Sequence, residues 1–193
     1  MKKSLYKIAA IQFLIYAANG LFTPAWYVLL LKRGQNIEQF GLLLGLTALG
    51  SVAAASFVGI LSHYRHPLRI LSAASLLLGA VMALYVLPSS LQMVYLLQVL
   101  YGTLGTAILT LEQILISTYA GQDGKSIGFY NSIMHGTIGV AMIAGGYAAS
   151  MVGGSAAIMV AAGIALCSSV IALLASGARE QNITASEALQ TGV

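Results

Sequence analysis

Six long apolar runs follow one another along this chain, and almost no charge interrupts them. They fall at 5–31, 37–62, 69–87, 91–119, 126–151 and 155–176. Each is long enough, or nearly so, for a helix that crosses a bilayer, which takes ~20 mostly apolar residues. Only 9 Lys and Arg and 5 Asp and Glu serve 193 residues, or 7% of the chain. A soluble domain carries about 25%. So few charges cannot coat a soluble domain of this length, and lipid must be the outer solvent. The mean hydropathy of +0.88 agrees. The expected fold is an all-α integral membrane bundle of six transmembrane helices over 1–176, followed by a polar, mobile tail over 177–193.

The breaks between the runs are short: KRGQNIEQ, HYRHPL, PSS, AGQDGKS and VGGS. Links of this length make successive helices antiparallel. The amino terminus MKKSLYKIAAIQFLIYAANG has the basic start of a signal peptide, but Gln12 and Asn19 interrupt its apolar run, which continues past Trp26. It reads as a first helix rather than a cleaved leader.

Lys and Arg in the links set orientation. Lys2, Lys3, Lys7, Arg65, Arg69, Lys125 and Arg179 fall on one side, and only Lys32 and Arg33 on the other. The richer side is expected to be cytoplasmic, with both termini there, in a plasma membrane of the bacterial inner-membrane kind. The Asn182-Ile183-Thr184 acceptor pattern would then lie on the wrong side for glycosylation. The net charge of +4 is spread over these links and does not point to nucleic acid.

Polar groups are expensive in hydrocarbon, so their placement is informative. Gln12, Tyr16, Asn19 and Thr23 share one face of the first helix by their spacing, with Pro24 beside them as a kink site. Gln98, Tyr101, Gly105 and Glu112 share a face of the fourth. Asn131 and His135 are four apart on the fifth. The third and sixth helices carry no such stripe beyond small Ser residues. The first, fourth and fifth are therefore expected to face a polar interior, and the third and sixth to face lipid. Glu112 and His135 are the strongly ionisable groups deep in the spans, roughly 10 and 13 Å from the ends of their helices at ~1.5 Å per residue. Lying at similar depth on consecutive helices, they could meet, and three arrangements stay open: a proton-carrying pair, a packing hydrogen bond, or two groups that never touch.

Small residues recur at four-residue spacing: Gly41 and Gly45, then Ser51, Ala55 and Gly59, on the second helix, and Ala141, Gly145, Ala149 and Gly153 on the fifth. They let backbones approach closely, within one bundle or against a second subunit. The chemistry of enzymes is missing. There is no Gly-rich phosphate loop and no HExxH, and the one Asp, Asp123, sits in a loop. His63 and His66 share a turn without a third ligand. Cys167 lies in an apolar run, where it reads as a small packing residue. No metal or cofactor is expected.

The stretch GILSHYRHPLRIL, residues 59–71, resembles the loop signature between the second and third helices of the major facilitator superfamily of transporters. That signature reads Gly-x-Leu-Ser/Ala-Asp-Arg-x-Gly-Arg-Arg, then a basic residue and aliphatics. Gly59, Leu61, Ser62, Arg69, Ile70 and Leu71 match. His63 stands in place of the Asp, Tyr64 of the Arg and His66 of the Gly, while Pro67 and Leu68 replace the basic pair. His63 and Tyr64 cannot form the charge pair that latches one half of the family fold to the other, so this loop is expected chiefly to connect. Arg65 and Arg69 suit anionic headgroups. NGLFTPAWYVLLLKRGQNIEQFGLLLG resembles the family's first helix, outer loop and second-helix start. LYGTLGTAILTLEQILISTYAGQDGKSIGFYNSIMHGTIGVAMIAGGY resembles its fourth helix, inner loop and fifth helix.

The family's usual architecture is two six-helix halves related by an axis along the membrane normal, and this chain supplies one half. The resemblance implies a transporter of a small organic solute, working by alternating access as a homodimer. Gln12, Tyr16, Asn19, Thr23, Gln98, Tyr101 and Asn131 would line its cavity, and Glu112 and His135 would couple protons or recognise charge. A heteromeric transporter half and a non-transporting membrane scaffold are the alternatives.

Overall fold

The helices start and stop at chemical signals in the breaks. The computed structural model describes residues 3–34, 36–61, 67–87, 90–120 and 124–191. Its six helices are α1 (Lys3–Lys32), α2 (Ile37–Leu61), α3 (Pro67–Leu84), α4 (Leu91–Ala120), α5 (Gly124–Met151) and α6 (Gly154–Thr191). Asn36 and Gln39 form a reciprocal capping box at the head of α2: the Gln39 amide donates to Asn36 Oδ1 at 3.0 Å, and the Asn36 amide to Gln39 Oε1 at 3.1 Å. Pro67 opens α3, where its missing N–H costs nothing. Gly153, at φ 92°, makes the turn between α5 and α6 that a Cβ would strain.

Two boundaries differ from the sequence reading by three residues or more. α3 stops at Leu84 rather than at 87. The amides of Tyr85, Val86 and Leu87 bond three residues back at 3.1–3.2 Å, which tightens the chain out of the α-helix. The guanidinium of Arg33, in the α1–α2 turn, then donates to the carbonyls of Tyr85, Val86 and Leu87 at 3.0–3.4 Å. It ties the α1–α2 turn to the chain that follows α3. At the other end α6 runs on to Thr191, where a mobile tail was expected from 177. All six helices are long and apolar enough to cross a membrane.

Packing follows the order α5, α1, α6, α3, α4, α2, each helix against the next, while α1 and α4 touch only sparingly. The core lies where α1, α3 and α6 converge, around Ile11, Leu71, Leu78, Met82 and Ile158. The small serines of the otherwise apolar helices join them. Ser72 Oγ donates to the Ser169 carbonyl and Ser169 Oγ to the Ser72 carbonyl, each at 2.8 Å. α3 and α6 are therefore not simply lipid-facing. Half of the apolar span of α3 and 44% of that of α6 are buried, against 17% for α2 and 11% for α5. The two helices at the ends of the arc, α2 and α5, are the bare ones. Cys167 is exposed on α6 rather than packed.

The small-residue stripes have divided roles. Ala141, Gly145 and Ala149 turn inward against α1: a Cβ on Gly145 would lie 2.8 Å from Leu21 Cα. On α2 the close contact falls at Gly50. A Cβ there would run into the Val99 carbonyl oxygen of α4, and one on Gly102 of α4 into that of Thr47. The two glycines thus set α2 and α4 backbone to backbone. Ser51 Oγ donates across to the Gly102 carbonyl at 3.3 Å and Thr103 Oγ1 to the Gly50 carbonyl at 3.1 Å. A Cβ on Gly41 or Gly45 would meet nothing within 4 Å among the described residues.

Candidate functional site

The spacing that put Gln12, Tyr16, Asn19 and Thr23 on one face of α1 turns that face toward α4. Tyr16, Asn19 and Thr23, with Tyr101 and Gly105 of α4, line a cavity of about 240 Å³. Thr47 and Ser51 of α2 close one wall, and α5 adds Ile138. Thr106 of α4 adds a further hydroxyl, and Ile15, Ile108 and Leu109 supply the apolar part. The cavity is partly open, and both bare helices, α2 and α5, contribute to its lining.

Two hydrogen bonds bridge the thinly packed α1–α4 seam. Tyr101 donates to Asn19 Oδ1 at 2.6 Å, and Tyr16 donates to Glu112 Oε2 at 3.0 Å. Glu112 is 1% exposed. It sits one helical turn beyond Ile108, outside the cavity lining, and is joined to it by Tyr16. Gln12 lies beside its carboxyl on α1, and Tyr130 of α5 faces it from the third side. Three oxygens in this cluster have no partner: Glu112 Oε1, Gln12 Oε1 and the Tyr130 hydroxyl. Buried polar atoms without partners are rare and costly.

Several sequence expectations change here. The Glu112–His135 pair does not form: Glu112 is bonded to Tyr16, while His135 is exposed on α5, as is Asn131. The offset arises because α5 packs on α1 and scarcely on α4, so the α5 face carrying both residues turns outward. Neither lines the cavity. Gln12 lies outside the cavity lining. Gln98, 1% exposed, accepts the Tyr85 hydroxyl at 2.5 Å and braces α4 against the end of α3. Of the loop-signature residues, Ser62, His63 and Arg65 lie outside the described residues, as does His66. Gly59 is in the last turn of α2, and Arg69 is exposed in the first turn of α3. Tyr130, Thr47 and Ser51 were missed. Ser51 read as a small packing position, Thr47 belonged to no stripe, and Tyr130 stood next to an asparagine that drew attention away from it. Among the described residues no group of three His, Cys, Asp or Glu is placed to hold a metal.

The seam, the cavity and the bare flanks describe half of an enclosure. No curated protein and no solved structure matches the chain. The family model of the Major Facilitator Superfamily matches residues 8–191, and the chain belongs to that superfamily of membrane transporters.

Proposed function

We propose that two copies of this chain, inserted in the same orientation, form one transporter for a small organic solute. They work by alternating access, the two bundles rocking about the cavity between them. The observation that carries this reading is the pairing of an open cavity with two bare helices. A 240 Å³ recess is small for a ligand site, whereas twice that volume falls within the ~300–1,000 Å³ of small-molecule pockets.

The bare faces of α2 and α5 also complement each other. Across a two-fold axis along the membrane normal, α2 of one copy runs antiparallel to α5 of the other. Level outer ends then bring Tyr147 of one copy, 69% exposed, to Gly41 of the other, and Ile143, 65% exposed, to Gly45. One turn deeper the sizes reverse, with Leu49, 66% exposed, meeting Gly139. Large against small at each level is how membrane helices pack closely.

Both termini lie on the cytoplasmic side of a plasma membrane in this reading, following the seven basic residues there against two outside. The bacterial inner membrane is the fitting location. Proton coupling falls to Glu112, faced by the titratable hydroxyls of Tyr16 and Tyr130; His135, on the bare face, has its place at the subunit seam. The test is a disulfide. With Cys167 replaced by Ser, Gly45→Cys and Ile143→Cys in one chain are expected to cross-link into a covalent dimer in native membranes. Cross-linking no better than with a pair on the α3–α6 side would refute the arrangement.

A further inference from the structure

Most donors on the polar wall of the cavity are already bonded inside the protein. Thr23 donates to the Asn19 carbonyl at 2.9 Å, Thr47 to that of Leu43 at 3.1 Å and Ser51 to that of Thr47 at 3.0 Å. Tyr101 donates to Asn19 Oδ1, Tyr16 to Glu112, and one N–H of the Asn19 amide to the Ile15 carbonyl at 2.9 Å. The second Asn19 N–H and the Thr106 hydroxyl are what the wall can still donate. The bonded hydroxyls keep their lone pairs, since a hydroxyl has one proton and two acceptor sites. Acceptor sites therefore outnumber free donors, which favours a ligand rich in donors.

One turn beyond the cavity lining lie the three unpartnered oxygens, on Glu112, Gln12 and Tyr130. Three acceptors around a single carboxylate match a group with three N–H donors and one positive charge. A buried carboxyl among neutral partners, here Gln12, Tyr16 and Tyr130, either holds a proton or, when ionised, calls for one compensating charge. No charged side chain lines the cavity, and its apolar wall suits an uncharged body.

We propose that the substrate is a primary amine in its ammonium form, with a compact apolar or aromatic body. The ammonium is held by Glu112 with Gln12 and Tyr130, and the body lies in the cavity against Tyr16 and Tyr101. Tyr16 covers the carboxyl in the present conformation, so its ring swings aside as the ammonium enters. The inference rests on the transport reading for calling the ligand a substrate, but the binding itself does not.

The test uses purified full-length protein in nanodiscs and three matched probes: 2-phenylethylamine, its N-trimethylated form and 2-phenylethanol. Binding is read by thermal shift and by the fluorescence of Trp26. Saturable binding of the amine is expected. The trimethylated cation, which keeps the charge and loses the donors, should bind at least tenfold more weakly, and the alcohol should not saturate. Glu112→Gln should abolish amine binding. Tyr130→Phe should weaken it roughly tenfold, the loss that one charge-assisted hydrogen bond represents, without lowering its own melting temperature. That second variant decides the matter should Glu112→Gln fail to fold. No binding of the amine, equal binding of amine and alcohol, or amine binding unaltered by Tyr130→Phe would each overturn the proposal. An intact dimer that ignores the amine would remove this substrate class alone. Amine binding by a protein that never dimerises would keep the site and remove the two-copy transporter.

Discussion

Gly102 is where the closest helix contact in the bundle can be weighed. A methyl group on it would run into the Thr47 carbonyl oxygen, a backbone atom that cannot rotate away. In Gly102→Ala, α2 and α4 must therefore part. Overpacking of this kind costs about 1–3 kcal/mol. Parting the helices also stretches the bonds from Ser51 to Gly102 and from Thr103 to Gly50. Each such interhelical bond contributes about 0.6 kcal/mol in a membrane protein. Against this, Ala is the better helix former by roughly 0.8–1 kcal/mol. The propensity gain offsets the lost bonds and leaves the overpacking, so the net destabilisation is about 1–3 kcal/mol. Gly105, three residues on in the same helix, is the internal control. A Cβ there meets nothing within 4 Å, so Gly105→Ala keeps the propensity gain and should be as stable as the parent or up to about 1 kcal/mol more so. Equilibrium unfolding in mixed micelles, followed by Trp26 fluorescence, measures both. A Gly102→Ala protein as stable as the parent, or a Gly105→Ala protein that is the weaker of the two, would refute the packing argument.

Further outcomes follow from the seam and from the Arg33 contacts. Glu112→Gln should abolish pH-driven uptake into proteoliposomes while leaving folding intact; uptake that still follows the pH gradient would remove the coupling role. Tyr101→Phe loses its 2.6 Å bond to Asn19 and leaves that acceptor bare in the cavity wall, so transport KM should change several-fold, with a stability loss of about 0.6–1.7 kcal/mol by unfolding. Arg33→Ala frees the carbonyls of the tight turn that follows α3. Hydrogen exchange should quicken at 82–87 and stay unchanged in the middle of α3.

The six helices were legible because the bilayer enforces them: backbone polar groups in lipid must be satisfied within the segment. The start of α2 at 37 was legible in the sequence; the start of α3 was not, since Pro67 was placed in the break and opens the helix instead, and neither was its end at 85–87, where apolar sequence continues but the helix does not. The face shared by Tyr16, Asn19 and Thr23 could be read from spacing alone. Which helix it would meet could not, because the arc brings α1 to α5 and α6 and lets it touch α4 only through side chains. That is why Glu112 found Tyr16 rather than His135. Depth along a helix can be counted from sequence, but rotation about its axis is fixed by neighbours such as Gly50 and Gly102, whose partners lie about 50 residues away in the chain.

The claim on which the functional account stands is that the transporter is two copies of this chain. The mass of the purified particle in nanodiscs of several lipid compositions tests it most directly. The account predicts a discrete species carrying two 20.1 kDa chains, dispersed to single chains by bulky substitutions on the bare faces, such as Gly45→Trp and Gly139→Trp. A particle holding a single chain in every lipid would contradict it, because the cavity would then have no second wall to rock against.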